Sequence, residues 1–354
     1  MTMICYKDAI NQALDIALAH DDKTLCYGLG VDDPKGVFGT TLNLQQKYGE
    51  DRVFDMPVSE NAMTGIGIGA SLRGYRSILT HQRLDFALLS MDQIVNNAAK
   101  WHFMFGGQHS ANITIRMIIG RGWGQGPTHA QNLQAWFTHI PGLKVLMPAT
   151  ANDAGNLLLR AIFDPNPVIF LEHRWCHNMQ ENVIFDENYA HNPIKGDVNH
   201  LRHGDDITLI TSSYLTLEAL HATQFLADHH IQCDHLDISI LNPMDWDSIF
   251  QSIKRTGRIL VCDTGTQRGA LAHDMISHII QDCWGDLKTK PEFLTSPNFP
   301  EATSPALTKD YHIRSEHIAE KIALICGKKI NAVALANMRQ HPHDVPGDWF
   351  NGPF

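Results

Sequence analysis

The sequence predicts an α/β protein of two domains, each with a mostly parallel sheet flanked by helices. Three observations lead there. The chain has 354 residues, more than a single hydrophobic core usually serves. Short β-branched runs alternate with amphipathic stretches in both halves, the pattern of strands joined by helical crossovers. Between about residues 174 and 204 that pattern gives way to a polar, aromatic, irregular segment, read as a linker and an edge segment. The expected domains are 1–185 and 204–326, with a linker at 186–203 and a tail at 327–354.

The elements follow in order. Tyr6, Ala9, Ile10, Ala13, Leu14, Ala17 and Leu18 recur at helical spacing and predict an amphipathic helix over 5–19. Strands are expected at TLCYGLG, RSILT, ITIRMII, KVLMP and PVIFLE, and helices at 60–73, 85–100 and 151–163. In the second half DITLITSS, QCDHLDIS and GRILVCDT read as strands, and LTLEALHATQFLADHH and DWDSIFQSIKRT as helices. The tail is rich in His, Pro, Asn and Gly and closes with DVPGDWFNGPF, which predicts a poorly packed segment or an arm on a neighbouring subunit, anchored by Trp349 and Phe350.

Composition narrows the function. A hydrophobic share of 44% and a charged share of 19% are those of an ordinary globular protein, and the apolar runs are too short for a membrane span of about 20 residues. A formal charge of −10 argues against a nucleic-acid partner, which needs a basic footprint. Seven dispersed cysteines without a C-x-x-C fit reduced thiols, and with no export signal visible the expected compartment is the cytoplasm. The densest group of ligand-type residues, His229, His230, Cys233 and His235, falls where a helix should end and a strand begin. Histidine there favours the helix dipole without any metal.

Two stretches carry chemistry. In DMPVSENAMTGIGIGAS the acid Glu60 heads a helix with few side chains, because Gly65, Gly67 and Gly69 interrupt its face. Each glycine costs the helix up to about 1 kcal/mol relative to alanine, so close approach of a backbone or a flat ligand is the reason to expect. The simpler reading is an acid placed for the helix dipole above a packing face. In GRGWGQGPTHAQ a glycine-rich loop follows a probable parallel strand and ends in His129. It matches neither G-x-G-x-x-G nor a P-loop, so no phosphate cradle is read from it. Its position is where open α/β sheets bind ligands, and His129 offers acid-base chemistry near neutral pH. A third stretch, HQRLDFALLSMDQIVNNAAKWHFMFGGQ, reads as a helix and a turn, with Phe86, Leu89, Ile94 and Ala98 on a packed face and Asp92, Gln93 and Asn97 either partnered at a subunit interface or forming an exposed polar stripe.

These segments, in this order, resemble the beta subunit of the decarboxylating component of 2-oxoacid dehydrogenases, of the pyruvate, branched-chain and acetoin type, in the transketolase-like, thiamine diphosphate-dependent superfamily. The matching stretches are GVFGTTLNLQQKYGEDRVFDMPVSENAMTGIGIGAS, MDQIVNNAAKW with FGGQ, HAQNLQAWFTHIPGLKVLMPAT and DPNPVIFLEHR, continued by LDISILNPMD and KRTGRILV. They span about residues 4–325. The resemblance implies a transketolase-like pyrimidine-binding domain followed by a transketolase C-terminal-like domain.

It also implies roles. Glu60 would hydrogen-bond a ring nitrogen of the cofactor's aminopyrimidine and favour the tautomer that removes the thiazolium proton. His129, in HAQ where the family has His-Ser-Gln, would bind the substrate and shuttle a proton. Glu60, Gly65, Arg83 and Phe86 are the expected cofactor contacts. Arg83 stands where an aromatic usually packs on the aminopyrimidine, and its guanidinium can stack on a flat ring or meet an acidic substrate. A structural potassium ion is expected at Ala161, Ile162, Asp164 and Asn166. Ser239 departs from an arginine usual in the family's LDLR-type segment, where lipoyl-partner contacts are expected.

The superfamily holds Mg²⁺ and the diphosphate with a Gly-Asp-Gly motif, and this chain has none. The resemblance therefore implies an alpha subunit that carries that half of the site, in a tetramer of two alpha and two beta chains, acting on a 2-oxoacid with a lipoylated acyltransferase as acceptor. Two other readings stay open: a transketolase-like carboligase or transferase subunit that uses a sugar or other carbonyl acceptor, and a non-catalytic scaffold.

Overall fold

The computed structural model describes residues 3–122 and 124–347. Its larger sheet has seven strands in the order Ile240–Asn242, Lys144–Leu146, Val168–His173, Ile113–Ile119, Arg76–His81, Thr24–Gly28 and Val53–Phe54. All pairs are parallel except the first, where Ile240–Asn242 joins the edge antiparallel. The second sheet has five strands, Glu292–Ser296, Ile259–Thr266, Ile207–Thr211, Cys233–Asp237 and Asn199–Arg202, parallel but for the last. A short pair joins Met3–Cys5 to Gln180–Asn182.

Local signals account for the helices. Helix Tyr6–His20 buries the seven apolar residues that the periodicity picks out and packs on helix Ala151–Phe163. Each large side chain so buried contributes about 1.5–3 kcal/mol. Thr150 caps the second helix by accepting the Asp153 N–H at 3.2 Å, and Gly155 lets the pair close up, since a Cβ there would lie 3.4 Å from the Ala9 carbonyl and 2.7 Å from Phe185. Helix Trp246–Thr256 begins on Asp245, which accepts the Ser248 N–H at 3.1 Å, and ends on Gly257 at φ 71°.

The domains interlock more than the expected boundaries suggest. Asn199–Arg202, placed by the sequence reading in the linker, is an edge strand of the second sheet. Ile240–Asn242 crosses to the first sheet, and Ser239 is buried there: its carbonyl accepts from Met147 N at 2.8 Å and its hydroxyl donates to Asp237 at 2.8 Å. Both apolar clusters draw residues from each half.

The tail is expected to be a poorly packed segment or an arm on a neighbouring subunit. Its described part folds onto its own chain: Arg314 donates to the carbonyls of Val345 and Pro346, Arg339 pairs with Glu316, and Asp344 lies 3.3 Å from Arg121. The arginines gain further acceptors from it: Arg121 also pairs with Glu301 and Arg314 with Glu218, so the tail completes rather than supplies their partners. Trp349 and Phe350 lie outside the described residues.

Candidate active site at the carboxyl ends of the first sheet

After Thr24–Gly28 the chain goes to the edge strand Val53–Phe54 and then returns to Arg76–His81 on the other side. Strand order reverses between Thr24–Gly28 and Arg76–His81, and open α/β sheets bind ligands outside the carboxyl ends at such a point. Glu60 lies there. Asp55 accepts the Gly30 N–H at 2.8 Å, Ser59 N donates to Pro57 O at 2.7 Å, and this corner feeds helix Glu60–Ser71. Glu60 is 4% exposed, and among the described residues no hydrogen bond or ion pair engages its carboxylate. Burying an unpaired carboxylate costs several kcal/mol, which a helix N-terminus offsets by about 0.3–1 kcal/mol.

Two of the three glycines of this helix pack inside the chain, and Gly69 faces open space. A Cβ on Gly67 would sit 1.9 Å from the Tyr27 hydroxyl, and one on Gly65 would sit 3.2 Å from Gln93 Oε1. Gln93 lies against the face that Gly65 leaves without a side chain. Gln93 comes from a departure from the helix expected over 85–100: the chain is α-helical at Leu84–Ala87, 3₁₀ at Leu88–Ser90, π-helical at Gln93–Ala98 and α-helical again to Met104. The wider π turn brings Gln93 over Gly65, with Asn97 Nδ2 donating to Gln93 Oε1 at 3.0 Å. Asp92 accepts from Gln93 and Asn96, so the polar stripe finds partners within itself.

Arg83, Phe86 and His129 are brought together. The Phe86 and His129 rings lie 5.3 Å apart at 87°. Gln131, just past His129, donates to Asp85 Oδ1 at 2.7 Å, and Thr128 Oγ1 lies 3.0 Å from His129 Nδ1. Arg83 is 2% exposed: it donates to Gly120 O at 3.0 Å, pairs with Gln125, and stands over the Phe38 ring at 5.2 Å. Arg174 faces the same ring at 4.8 Å. Burial lowers both guanidinium pKa values to about 10, Arg83 also through repulsion by Arg174. An opening of about 700 Å³ beside them is lined by Lys7, Asp33, Lys35, Phe38 and Gln82.

Beneath this surface Arg116 and Glu172 form a buried two-point ion pair, at 2.6 and 3.0 Å, with Arg116 also donating to Thr80. His81, at the end of its strand, is pushed down to about 4 by burial, and its Nε2 has no hydrogen-bond partner. His177, next to Glu172 at 3.7 Å, is also driven down by burial and by the surrounding arginines.

The four residues expected to hold potassium lie elsewhere, before the amino end of Val168–His173 and so on the far side of the sheet from Glu60. They do not fit a metal ion. Lys144 Nζ donates to Asp164 Oδ2 at 2.6 Å, Asn166 Oδ1 accepts from Ser110 at 2.9 Å, and the Ala161 carbonyl accepts from Asp164 N at 3.2 Å. Arg76 lies 3.5 Å from the Ile162 carbonyl, and Asn112, with its amide turned to satisfy both ends, donates to the carbonyls of Ile162 and Asp164 at 3.2 and 3.3 Å. The chain's own donors occupy the oxygens a cation would need.

Residues 2–177 match the transketolase pyrimidine-binding domain and residues 196–318 the transketolase C-terminal domain. The chain is 37% identical, over 87% of its length and 93% of the relative, to the acetoin:2,6-dichlorophenolindophenol oxidoreductase subunit beta of Cupriavidus necator. It is 32% identical to the 2-oxoisovalerate dehydrogenase subunit beta of Bacillus subtilis, over 90% and 97% of the two chains. With the pyruvate dehydrogenase E1 component subunit beta of Rickettsia bellii it shares 32% identity over 84% and 90%.

The chain belongs to the E1 beta-subunit family.

Its fold is also that of a split-gene transketolase, solved as an inactive beta4 tetramer, with a TM-score of 0.73 at 19% identity over 92% of this chain and all of that one. For an E1 beta subunit the observed residues suit thiamine diphosphate in one respect: Glu60 is a buried acceptor without a partner, at the sheet's reversal point. Among the described residues no helix is long and apolar enough to cross a membrane.

Sequence reasoning missed two features. Arg121, inside the glycine-rich loop, is tied to Glu301, to the Thr303 carbonyl and to Asp344, so the tail helps hold the loop that leads to His129. And the ligand-type cluster is not the one at 229–235, where His235 is buried against Thr211 and His229 bonds the Phe225 carbonyl, but His200, His203 and Asp234. The spacing of His200 and His203 was a readable signal; their meeting with Asp234 depends on strand pairing.

Proposed function

We propose that this chain supplies the aminopyrimidine half of a thiamine diphosphate site in a 2-oxoacid decarboxylating enzyme, and that an alpha subunit bearing Gly-Asp-Gly supplies the Mg²⁺ and diphosphate half. When bound, thiamine diphosphate supplies the nucleophilic carbon and the electron sink for loss of CO₂. The observation that carries the reading is Glu60, a buried carboxylate without a partner at the switch point. With the cofactor bound, Glu60 would hold the aminopyrimidine through a ring nitrogen, an interaction that would offset the carboxylate's desolvation. His129, with Nδ1 engaged by Thr128, keeps Nε2 for proton transfer to the substrate's oxygen. The arginines around Phe38 and the lysines of the neighbouring opening favour an anionic substrate.

The partner reading has its own support. Ile66 on the helix that carries Glu60 and Leu89 on a segment packed against it are exposed, as are Phe103, Met104 and Phe105 farther along the chain. Exposed large apolar side chains of this kind suit a subunit interface. The assembly proposed is two alpha and two beta chains, with a lipoylated acyltransferase as acceptor.

A second reading is a carboligase that passes the fragment to a sugar or other carbonyl compound, favoured by the buried Arg83. The test is reconstitution with the alpha chain, supplying pyruvate, branched 2-oxoacids or acetoin with and without a lipoylated acyltransferase. A strict requirement for the lipoylated protein supports the first reading. Ligated product formed without it establishes the second.

A further inference from the structure

We propose that the end of edge strand Asn199–Arg202 carries a binding site for a borderline divalent transition cation of the zinc class, with His200, His203 and Asp234 as protein ligands. The site lies in the second sheet, outside the cofactor site, and does not depend on the function proposed above.

The three ligand atoms already lie within 4.8 Å of one another. Alternation along a strand places residues three apart on opposite faces. The strand ends at Arg202, however, and the departing chain swings His203 back beside His200, their rings 5.2 Å apart and 27° from parallel. Asp234 is the fixed member. It is fully buried in Cys233–Asp237, and its Oδ2 is taken by Ser252 Oγ and Arg255. Its Oδ1 has no hydrogen bond and faces His203 Nδ1 at 3.5 Å. A buried carboxylate oxygen left without a donor is the feature a cation would satisfy.

Charge and geometry agree with that occupant. Asp234 and Asp205 share Arg255, which lies 3.2 Å from Asp205, so neutral imidazoles leave the cluster with one surplus negative charge. Tetrahedral donors around zinc at about 2.0–2.1 Å stand roughly 3.4 Å from one another. Closing the set from its present spread needs only rotation of two exposed imidazoles about a carboxylate that does not move. Two nitrogens and one oxygen leave a fourth position for water, and the thiols stay out of it because all seven cysteines lie elsewhere. An ion there would pin the end of the segment that joins the two domains to Cys233–Asp237, and would raise the stability of the folded state by mass action.

Cobalt is the probe. The full chain, freed of metal with a chelator, is titrated with Co²⁺ and followed by visible absorption and by Tm, then challenged with Zn²⁺, alongside the double variant His200→Ala, His203→Ala and the single variant Asp234→Asn. Both histidines are exposed, so the double variant keeps the fold. The proposal expects one equivalent of Co²⁺ displaced by Zn²⁺ with a rise in Tm, and at least tenfold weaker binding with no Tm response in the double variant. Equal titrations of wild type and double variant, or no cobalt absorption in the wild type, overturn it. In that case the cluster is an ion network of Arg255 and two aspartates only.

Discussion

The rings of Phe86 and His129 stand 5.3 Å apart with their planes at 87°. The edge-to-face contact holds the histidine of the glycine-rich loop against the segment that also carries Arg83, and Gln131 repeats the tie through Asp85. Such a pair is worth about 0.5–1.5 kcal/mol beyond buried area. Phe86→Leu keeps the apolar volume and loses the ring contact. It should lower kcat/KM of the reconstituted enzyme roughly 2- to 10-fold, the rate equivalent of that energy, with Tm nearly unchanged. Steady-state kinetics with the alpha subunit present checks this, and an unchanged kcat/KM removes Phe86 from the positioning of His129.

Glu60→Gln keeps the shape of the side chain and removes its charge. Turnover of the reconstituted enzyme should fall by at least about 10²-fold, the lower range for loss of a positioned acid-base group. Thermal stability should hold or rise, because a buried unpaired carboxylate is gone. Kinetics and calorimetric Tm, measured on the same preparation, separate a lost role from a lost fold.

Arg83→Phe replaces the guanidinium that bonds the Gly120 carbonyl and faces Phe38. The ratio of kcat/KM values among pyruvate, branched 2-oxoacids and sugar substrates should shift away from the more acidic ones. A uniform loss across substrates would make Arg83 a support of the loop alone.

At the domain junction burial and the nearby Asp237 and Glu181 raise the Asp153 pKa to about 7, and burial raises Asp237 as well. Asn199 bridges the two acids, at 2.9 Å to Asp153 and 3.2 Å to Asp237. With Asp153 raised, the folded state binds a proton that the unfolded chain, with a carboxyl near about 3.9, has released. The stability this contributes is present at low pH and is lost as pH rises from about 4 to about 7. Asp153→Asn should flatten that part of the curve. Denaturant unfolding between pH 4.5 and 7.5 reads the difference, and parallel curves for wild type and variant contradict it.

At the cradle expected for potassium, Arg76, Lys144 and Asn112 take the oxygens. Exchanging K⁺ for Na⁺ at constant ionic strength should leave Tm unchanged, while Arg76→Met should cost about 1–3 kcal/mol by leaving buried carbonyls and Asp21 without their donor. A K⁺-specific rise in Tm would restore the ion.

What was legible followed from local physics. Helix Ala151–Phe163 coincides with its expected bounds because Thr150 is a readable cap and the apolar spacing is strong. Strand Ile113–Ile119 coincides because a β-branched run, buried on both faces and interrupted only by Thr114 and Arg116, suits an inner strand of an α/β protein. The position of Glu60 was legible too, as an acid entering a helix after a short strand. The π turn at Gln93–Ala98 was not, since it answers to Gly65 on another helix, 28 residues away in sequence. The contacts of the described tail with its own chain were not legible, because Arg121, Arg314 and Glu316 lie in distant segments. At 161–166 the approach of Arg76 to the Ile162 carbonyl and of Lys144 to the Asp164 carboxylate was not legible either, since both come from other strands.

The most direct test of a shared cofactor site built on Glu60 is calorimetric titration of thiamine diphosphate with Mg²⁺ into the chain alone, into the chain paired with an alpha subunit bearing Gly-Asp-Gly, and into the pair carrying Glu60→Gln. Tight binding in the wild-type pair, with weak binding by the lone chain and a clear loss of affinity in the variant pair, is the predicted result. Binding by the lone chain as tight as by the pair, or equal affinity in the Glu60→Gln pair, would contradict it.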